Sequence, residues 1–229
     1  MPVLVVTAVD AERDAAVRRL GPVTELPHLP YGAVAAGNVI AAAGGVGPIA
    51  AAVAVTRLLA ALDHPVESVV STGIAGGFAG RAGIGDVVVA RNVVFADLGA
   101  ATDDGFLDLG VLGLAGGAPL TSPGADAVIA ALDGLNPLVG DVLTLATMTG
   151  TDSRASDLAA AHPDAVAEAM EGYGVAWAAV EHGVPWVEVR AISNLIGRRD
   201  RSAWNIPAAF EALASAVAAL SRTTAEAAR

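Results

Sequence analysis

The chain of 229 residues contains no cysteine. That one absence removes disulfides, thiolate nucleophiles and cysteine-ligated zinc together, while leaving the compartment open. Positive charge is scarce as well: 13 basic residues face 24 acidic ones, a formal net charge of −11. A field of that sign repels phosphate backbones and anionic lipid, so neither nucleic acid nor a membrane surface is expected as a partner. There is no internal repeat and no low-complexity linker. Met1 to Thr7 lacks a basic segment and meets Asp10, Glu12 and Arg13 too early for a signal peptide, which makes a cytoplasmic enzyme the expectation.

Other signatures are missing too. Gly73-Ile74-Ala75-Gly76-Gly77 has the wrong glycine spacing for a dinucleotide fingerprint, and Gly44-Gly45-Val46-Gly47-Pro48 is followed by no Lys-Ser/Thr of a Walker loop. His28, His162 and His182 stand in connections or near helix ends without ligand spacing, so no metal and no cofactor are expected. Tyr31 to Thr56 carries no charge and is long enough to span a bilayer, yet it is rich in alanine and glycine and broken at Gly44-Gly45 and Gly47-Pro48. It reads as strand, glycine loop and helix.

What the chain does have is apolar mass. Hydrophobic residues make up 54% and charged ones only 16%, far from the composition of disorder. The length suits one domain over 1–229. Val3 to Ala8 is a buried-strand run, with Asp10 as the cap of a helix over Ala11 to Leu20. Ala33–Ala36 and Val39–Ala43 form strands turning at Gly37-Asn38, and Pro48 opens a helix to Leu62. Strands follow at Val66–Ser71, Val87 toward Phe95, Asp141–Met148 and Trp186–Ile192. Helices are expected at Ala125–Leu132, Arg154–Ala161, Gly172–His182 and Pro207 to about Thr223. Asp97 to Asp108 is a polar loop of the length that is usually functional or mobile. Alternating strands and helices predict an α/β fold, a mixed, mainly parallel twisted sheet flanked by helices.

Three segments read as one site, because ligands of parallel sheets sit at the carboxyl ends of strands. Asn194 follows the strand Trp186–Ile192, Glu171 opens a helix between Met170 and Gly172, and the glycine run ends the strand before it. By itself, Glu12 is adequately explained as a partner of the helix dipole, worth a few tenths to about 1 kcal/mol. Glu171 has the same bland explanation, but it stands among glycines where a ligand could approach, and a carboxylate there can accept both hydroxyls of a ribose. Trp177 and Trp186 read as core packing.

Taken in order, these segments resemble the purine nucleoside phosphorylase and nucleosidase superfamily over nearly the whole chain. Val5 to Glu12 is similar to the first strand and catalytic glutamate of the methylthioadenosine/S-adenosylhomocysteine nucleosidases. Gly45–Ala52, Thr72–Gly77 and Gly85–Val89 resemble the segments that follow, and Met170-Glu171-Gly172 the ribose motif. The resemblance implies that Glu12 activates water, that Ile74 and Met170 contact the substrate and that Glu171 takes the ribose hydroxyls. Where adenine nucleosidases carry aspartate after Ile-Ser, this chain has Asn194, whose amide can donate toward N7 and O6 of a 6-oxopurine. A phosphorylase's basic pattern near the first strand is missing, which favours water as the nucleophile. With Phe95–Gly99, the run Ile192–Arg201 and Trp204, the resemblance narrows to the futalosine hydrolases. It implies release of hypoxanthine from futalosine in menaquinone biosynthesis, with Arg198, Arg199 and Arg201 as candidates for the carboxylated tail. It also implies a homodimer or larger homo-oligomer in which a neighbour's loop closes the site. An adenine-releasing nucleosidase, a phosphorylase and a nucleoside-binding protein without catalysis are the competing readings.

Overall fold

The computed structural model describes residues 1–227, with side chains described through residue 222. The chain runs β1 (Val3–Thr7), α1 (Asp10–Val17), β2 (Thr24–Glu25), β3 (Val34–Ala36), β4 (Val39–Ala43), α2 (Pro48–Ala61), β5 (Ser68–Gly77) and β6 (Val87–Phe95). It continues β7 (Gly99–Thr102), β8 (Gly105–Asp108), β9 (Leu120–Thr121), α3 (Ala125–Ala131), β10 (Leu138–Thr144), α4 (Asp152–Ala161) and β11 (Ala165–Ala169). α5 (Gly172–Glu181), β12 (Trp186–Leu195) and α6 (Ile206–Ala227) complete it.

The main sheet has strand order β11-β10-β6-β12-β5-β1-β4-β3-β2, with β9 paired to β6. Its long ladders, β5–β12 and β6–β10 among them, are parallel, and its antiparallel ones cover two or three residue pairs. β11 also pairs with β5, so β5, β12, β6, β10 and β11 close into a ring. The expected mixed, mainly parallel sheet is therefore present.

Strand alternation divides the core between two faces. On β1, Leu4 and Val6 point to one side and Val3 and Val5 to the other. The first side is covered by α2 and α5, the second by α1, α3 and α6. α2 buries Ala51, Ala54, Val55 and Leu58, the spacing of a single helical stripe. Each large apolar side chain removed from water in this way contributes about 1.5–3 kcal/mol. Gly37, at φ 58°, makes the two-residue turn between β3 and β4. Among the described residues, no helix is long and apolar enough to cross a membrane.

Several boundaries differ from the sequence reading. β5 runs through the glycines to Gly77, because the glycine end is paired on both sides, with β12 and with β11. The loop expected over Asp97–Asp108 contains the hairpin β7–β8. β10 ends at Thr144 rather than Met148, and α1 stops at Val17. Val9, not Asp10, occupies the cap position of α1; Asp10 lies in the first turn and pairs with Arg13 at 2.7 Å. Trp186 is core, whereas Trp177 is 42% exposed and stacks on Tyr173.

α2 and α5 approach closely because Gly174 has no side chain: a Cβ there would overlap the backbone carbonyl of Pro48. Gly174→Ala gains about 1 kcal/mol of helix propensity, but overpacking against backbone costs about 1–3 kcal/mol or more. The expected net result is a lower urea midpoint than wild type. Gly134→Ala, where a Cβ meets nothing within 4 Å, serves as the control and is expected to stay within about 0.5 kcal/mol.

Candidate active site

Four charged side chains that the sequence scatters over 179 positions of chain meet beside the carboxyl end of β1, level with the middle of β5 and β12. Glu12 comes from α1, just after β1, and is 5% exposed. Its Oε1 accepts the Ile74 N–H of β5 at 2.9 Å, and its Oε2 accepts those of Ala8 and Val9 at 3.0 and 3.3 Å. The carboxylate is thus gripped at both oxygens by backbone. It reaches β5 at Gly73, where a Cβ would lie 2.6 Å from Oε1 and 3.0 Å from Nη1 of Arg190. Gly73 also has φ 152°, and only the missing side chain permits this crossing.

Glu171 occupies the cap position of α5, directly after β11, and is 6% exposed. Its Oε1 accepts the Gly47 N–H at the head of α2 at 3.2 Å, and its Oε2 pairs with Nη2 of Arg190 at 3.2 Å. Arg190 lies on β12 and is 1% exposed. Its Nε donates to Glu188 Oε1 at 2.7 Å and its Nη2 also reaches Ser71 Oγ at 3.3 Å. β12 therefore carries a fully buried ion pair on one face, at positions two apart. A glutamate and an arginine at alternate positions of a strand otherwise built from tryptophan, valine, alanine and isoleucine were the available signal, since charges enter a core only when paired.

One guanidinium faces three carboxylates. Burial pushes Glu12 above its ordinary value, against the pull of Arg190 and the Ile74 N–H. Burial does the same to Glu188, again opposed by Arg190. Burial alone would lower Arg190, but Glu188, Glu171 and Glu12 outweigh it and hold the guanidinium above its already high value. The arginine stays charged, and the excess negative charge belongs to the acids.

Asn194 lies inside β12 rather than beyond it. A register shift against β5 between Ile192 and Asn194 bends the strand there and re-aims the amide. Oδ1 lies 2.8 Å from the Ser193 hydroxyl, and Nδ2 donates to the Leu195 carbonyl at 3.0 Å. One amide hydrogen remains for a ligand, not two. Across Gly76, whose Cβ position is 3.5 Å from both Asn194 Nδ2 and Glu168 Cγ, stands a fourth buried acid. Glu168 Oε1 accepts the Thr149 N–H at 3.0 Å, and burial raises this acid as well.

Glu12 is bonded to the Ile74 backbone and faces Arg190 across Gly73, and Arg190 is paired with Glu171. Asn194 sits farther along β12 and shares no hydrogen bond with them. Ile74 meets Glu12 through its backbone while its side chain packs on the core, and Met170 is half-buried beside Glu171. Arg199 and Arg201 lie over the Trp204 ring on the exposed loop after β12. Among the described residues, no three His, Cys, Asp or Glu side chains are placed to hold a metal ion.

The family described as "Phosphorylase superfamily" matches residues 2–226. The chain is 48% identical over 226 residues to futalosine hydrolase of Streptomyces coelicolor, covering 96% of this chain and 95% of that one. It is 47% identical over 228 residues to futalosine hydrolase of Acidothermus cellulolyticus, covering 95% and 89%. Its fold matches the native structure of futalosine hydrolase of Helicobacter pylori with a TM-score of 0.78 at 21% identity, over 99% and 98% of the two chains. The chain belongs to the phosphorylase superfamily and, within it, to the futalosine hydrolase family.

Proposed function

We propose that this protein hydrolyses the N-glycosidic bond of futalosine, releasing hypoxanthine, with water as the nucleophile and no cofactor. The observation that carries the reading is the placement of Glu12 and Glu171 around Arg190, which pairs with Glu171 and faces Glu12 across Gly73, in a chain 48% identical to a futalosine hydrolase. Glu12 holds and deprotonates water. The water oxygen bonds to the anomeric carbon as the bond to the purine breaks, and the electron pair leaves with the base. The sugar becomes positively charged on the way, and a site holding more carboxylates than cations stabilises that charge where it develops. Glu171 anchors the ribose hydroxyls with Met170 and Ile74 against the sugar, so part of the barrier is met by orientation. The free amide hydrogen of Asn194 stabilises charge arriving on the base.

A homodimer fits the surface. The chain is strongly acidic, so two copies repel except where a face carries little charge. α2 has Arg57 and α5 has Glu181 as their only charged residues, and the pair presents Ile49, Val53, Trp177 and Val180 to solvent. Light scattering is expected to give twice the chain mass, and Ile49→Asp with Val53→Asp to give the single mass; a monomeric wild type removes this interface.

Glu12→Gln is expected to lower turnover at least about 100-fold, the usual scale of a lost general base. Binding should change by less than about tenfold. The amide satisfies the N–H groups of one oxygen only, so the thermal midpoint should also fall slightly. In wild type, Glu12 works ionised and burial raises its pKa. Activity should therefore fall with acid at a pH above the ordinary glutamate range, and near-wild-type turnover in the Gln variant removes Glu12 from the mechanism.

Asn194→Asp puts a carboxylate without a donor opposite a 6-oxopurine, a mismatch worth about 1–3 kcal/mol. The specificity constant for futalosine should fall by that amount, roughly 5- to 150-fold, while traces of adenine release appear. Specificity constants for futalosine and an adenine nucleoside, measured without phosphate, decide it. Unchanged futalosine cleavage in the variant, or a wild type that prefers the adenine nucleoside, overturns the base assignment.

A further inference from the structure

Glu188 is the one acid of the cluster with no route to a ligand. It is fully buried on β12 between Val187 and Val189, and its Oε2 has no hydrogen-bond partner among the described residues. Space for it is reserved by another segment. A Cβ at Gly172, the residue after Glu171, would overlap both Glu188 carboxylate oxygens. The glycine of Met170-Glu171-Gly172, read from sequence as room for a ligand, is room for Glu188.

Two edges of Arg190 are hydrogen-bonded, and the third faces an acid without bonding it. Nε goes to Glu188 at 2.7 Å, Nη2 to Glu171 and Ser71 at 3.2 and 3.3 Å, and Nη1 faces Glu12 across Gly73. A guanidinium is planar, so fixing Nε against a buried acceptor fixes where the other two edges point. We propose that Glu188 is a positioning residue which, by holding Arg190 through Nε, aims one guanidinium edge at Glu171 and another at Glu12. This rests on reading Glu12 as the water-activating acid and Glu171 as the ribose acid. Glu188 also offsets the cation that Glu12 feels. Without that offset Arg190 would draw Glu12 toward its ionised form and weaken it as a base. The charged groups facing Glu12 are Arg190 from β12 and Glu171 from the head of α5, and those facing Glu188 are the same two.

The decisive variant is Glu188→Gln, which keeps an acceptor for Nε and removes the charge. Its pH profile of kcat/KM is compared with wild type, and the Glu12 carboxyl carbon is titrated by NMR in both proteins. The expected result is an acid limb and a Glu12 midpoint displaced downward by about one pH unit, with turnover at neutral pH reduced about tenfold. Gly172→Ala, which pushes the Glu188 carboxyl aside by an independent route, is expected to shift both in the same direction, and the double variant to be no worse than the more impaired single one. A folded Glu188→Gln protein whose limb and midpoint coincide with wild type overturns the proposal. If that variant does not fold, an unshifted Gly172→Ala profile overturns it, and loss of fold in both assigns Glu188 to the core alone and overturns it too. Wild-type cleavage of futalosine tests the underlying reading separately, because the NMR midpoint of Glu12 needs no turnover.

Discussion

The site depends on a buried guanidinium. Removing Arg190 and its acids from water costs several kcal/mol per ion before any attraction is counted. The attraction offsets this only because Nε and Nη2 are hydrogen-bonded to Glu188, Glu171 and Ser71 while Nη1 faces Glu12 across Gly73. Breaking one member of such a cluster typically costs about 3–5 kcal/mol, whereas an apolar set of the same volume could be neutral for stability. An expensive ionic cluster placed where β1 ends between the longer strands of a parallel sheet is therefore better explained by chemistry than by folding.

The rest of the fold holds the members of that cluster in register. Two glycines let it close: Gly73 admits Glu12 across β5, and Gly172 admits Glu188 beneath the ribose acid. Backbone N–H groups from β5, from the β1–α1 connection and from the head of α2 fix the carboxylates, so their positions are set by the sheet rather than by mobile side chains. On either side, two apolar layers of helices press on the sheet.

Much of this was legible from sequence. Buried strands with turn residues between them gave the sheet, and the position of Glu12 and Glu171 beside strand ends made them candidates. Arg190 and Glu188 were legible only as charges at alternate positions of a strand that is otherwise apolar, and a buried charge there requires a partner. Ser71 had no signal, since a single hydroxyl at a strand position is common. The glycine run was read as punctuation, and pairing on both flanks turned it into strand. Asn194 was identified by type, but the bulge that turns it and the carbonyl that consumes one of its two amide hydrogens are features of tertiary structure.

The closed ring of β5, β12, β6, β10 and β11 has a consequence for how this chain meets other chains. A ring offers no row of unpaired amides, and the ends left to the main sheet are β2 and β9, two residues each. Such stubs are too short to template an added strand, so the main sheet is guarded against edge-to-edge aggregation without charged or proline guards along its long strands. Neither a peptide nor another copy can be recruited to this sheet by main-chain pairing. Recognition must be written in side chains, on helices and loops that can vary without disturbing the strands that carry the chemistry.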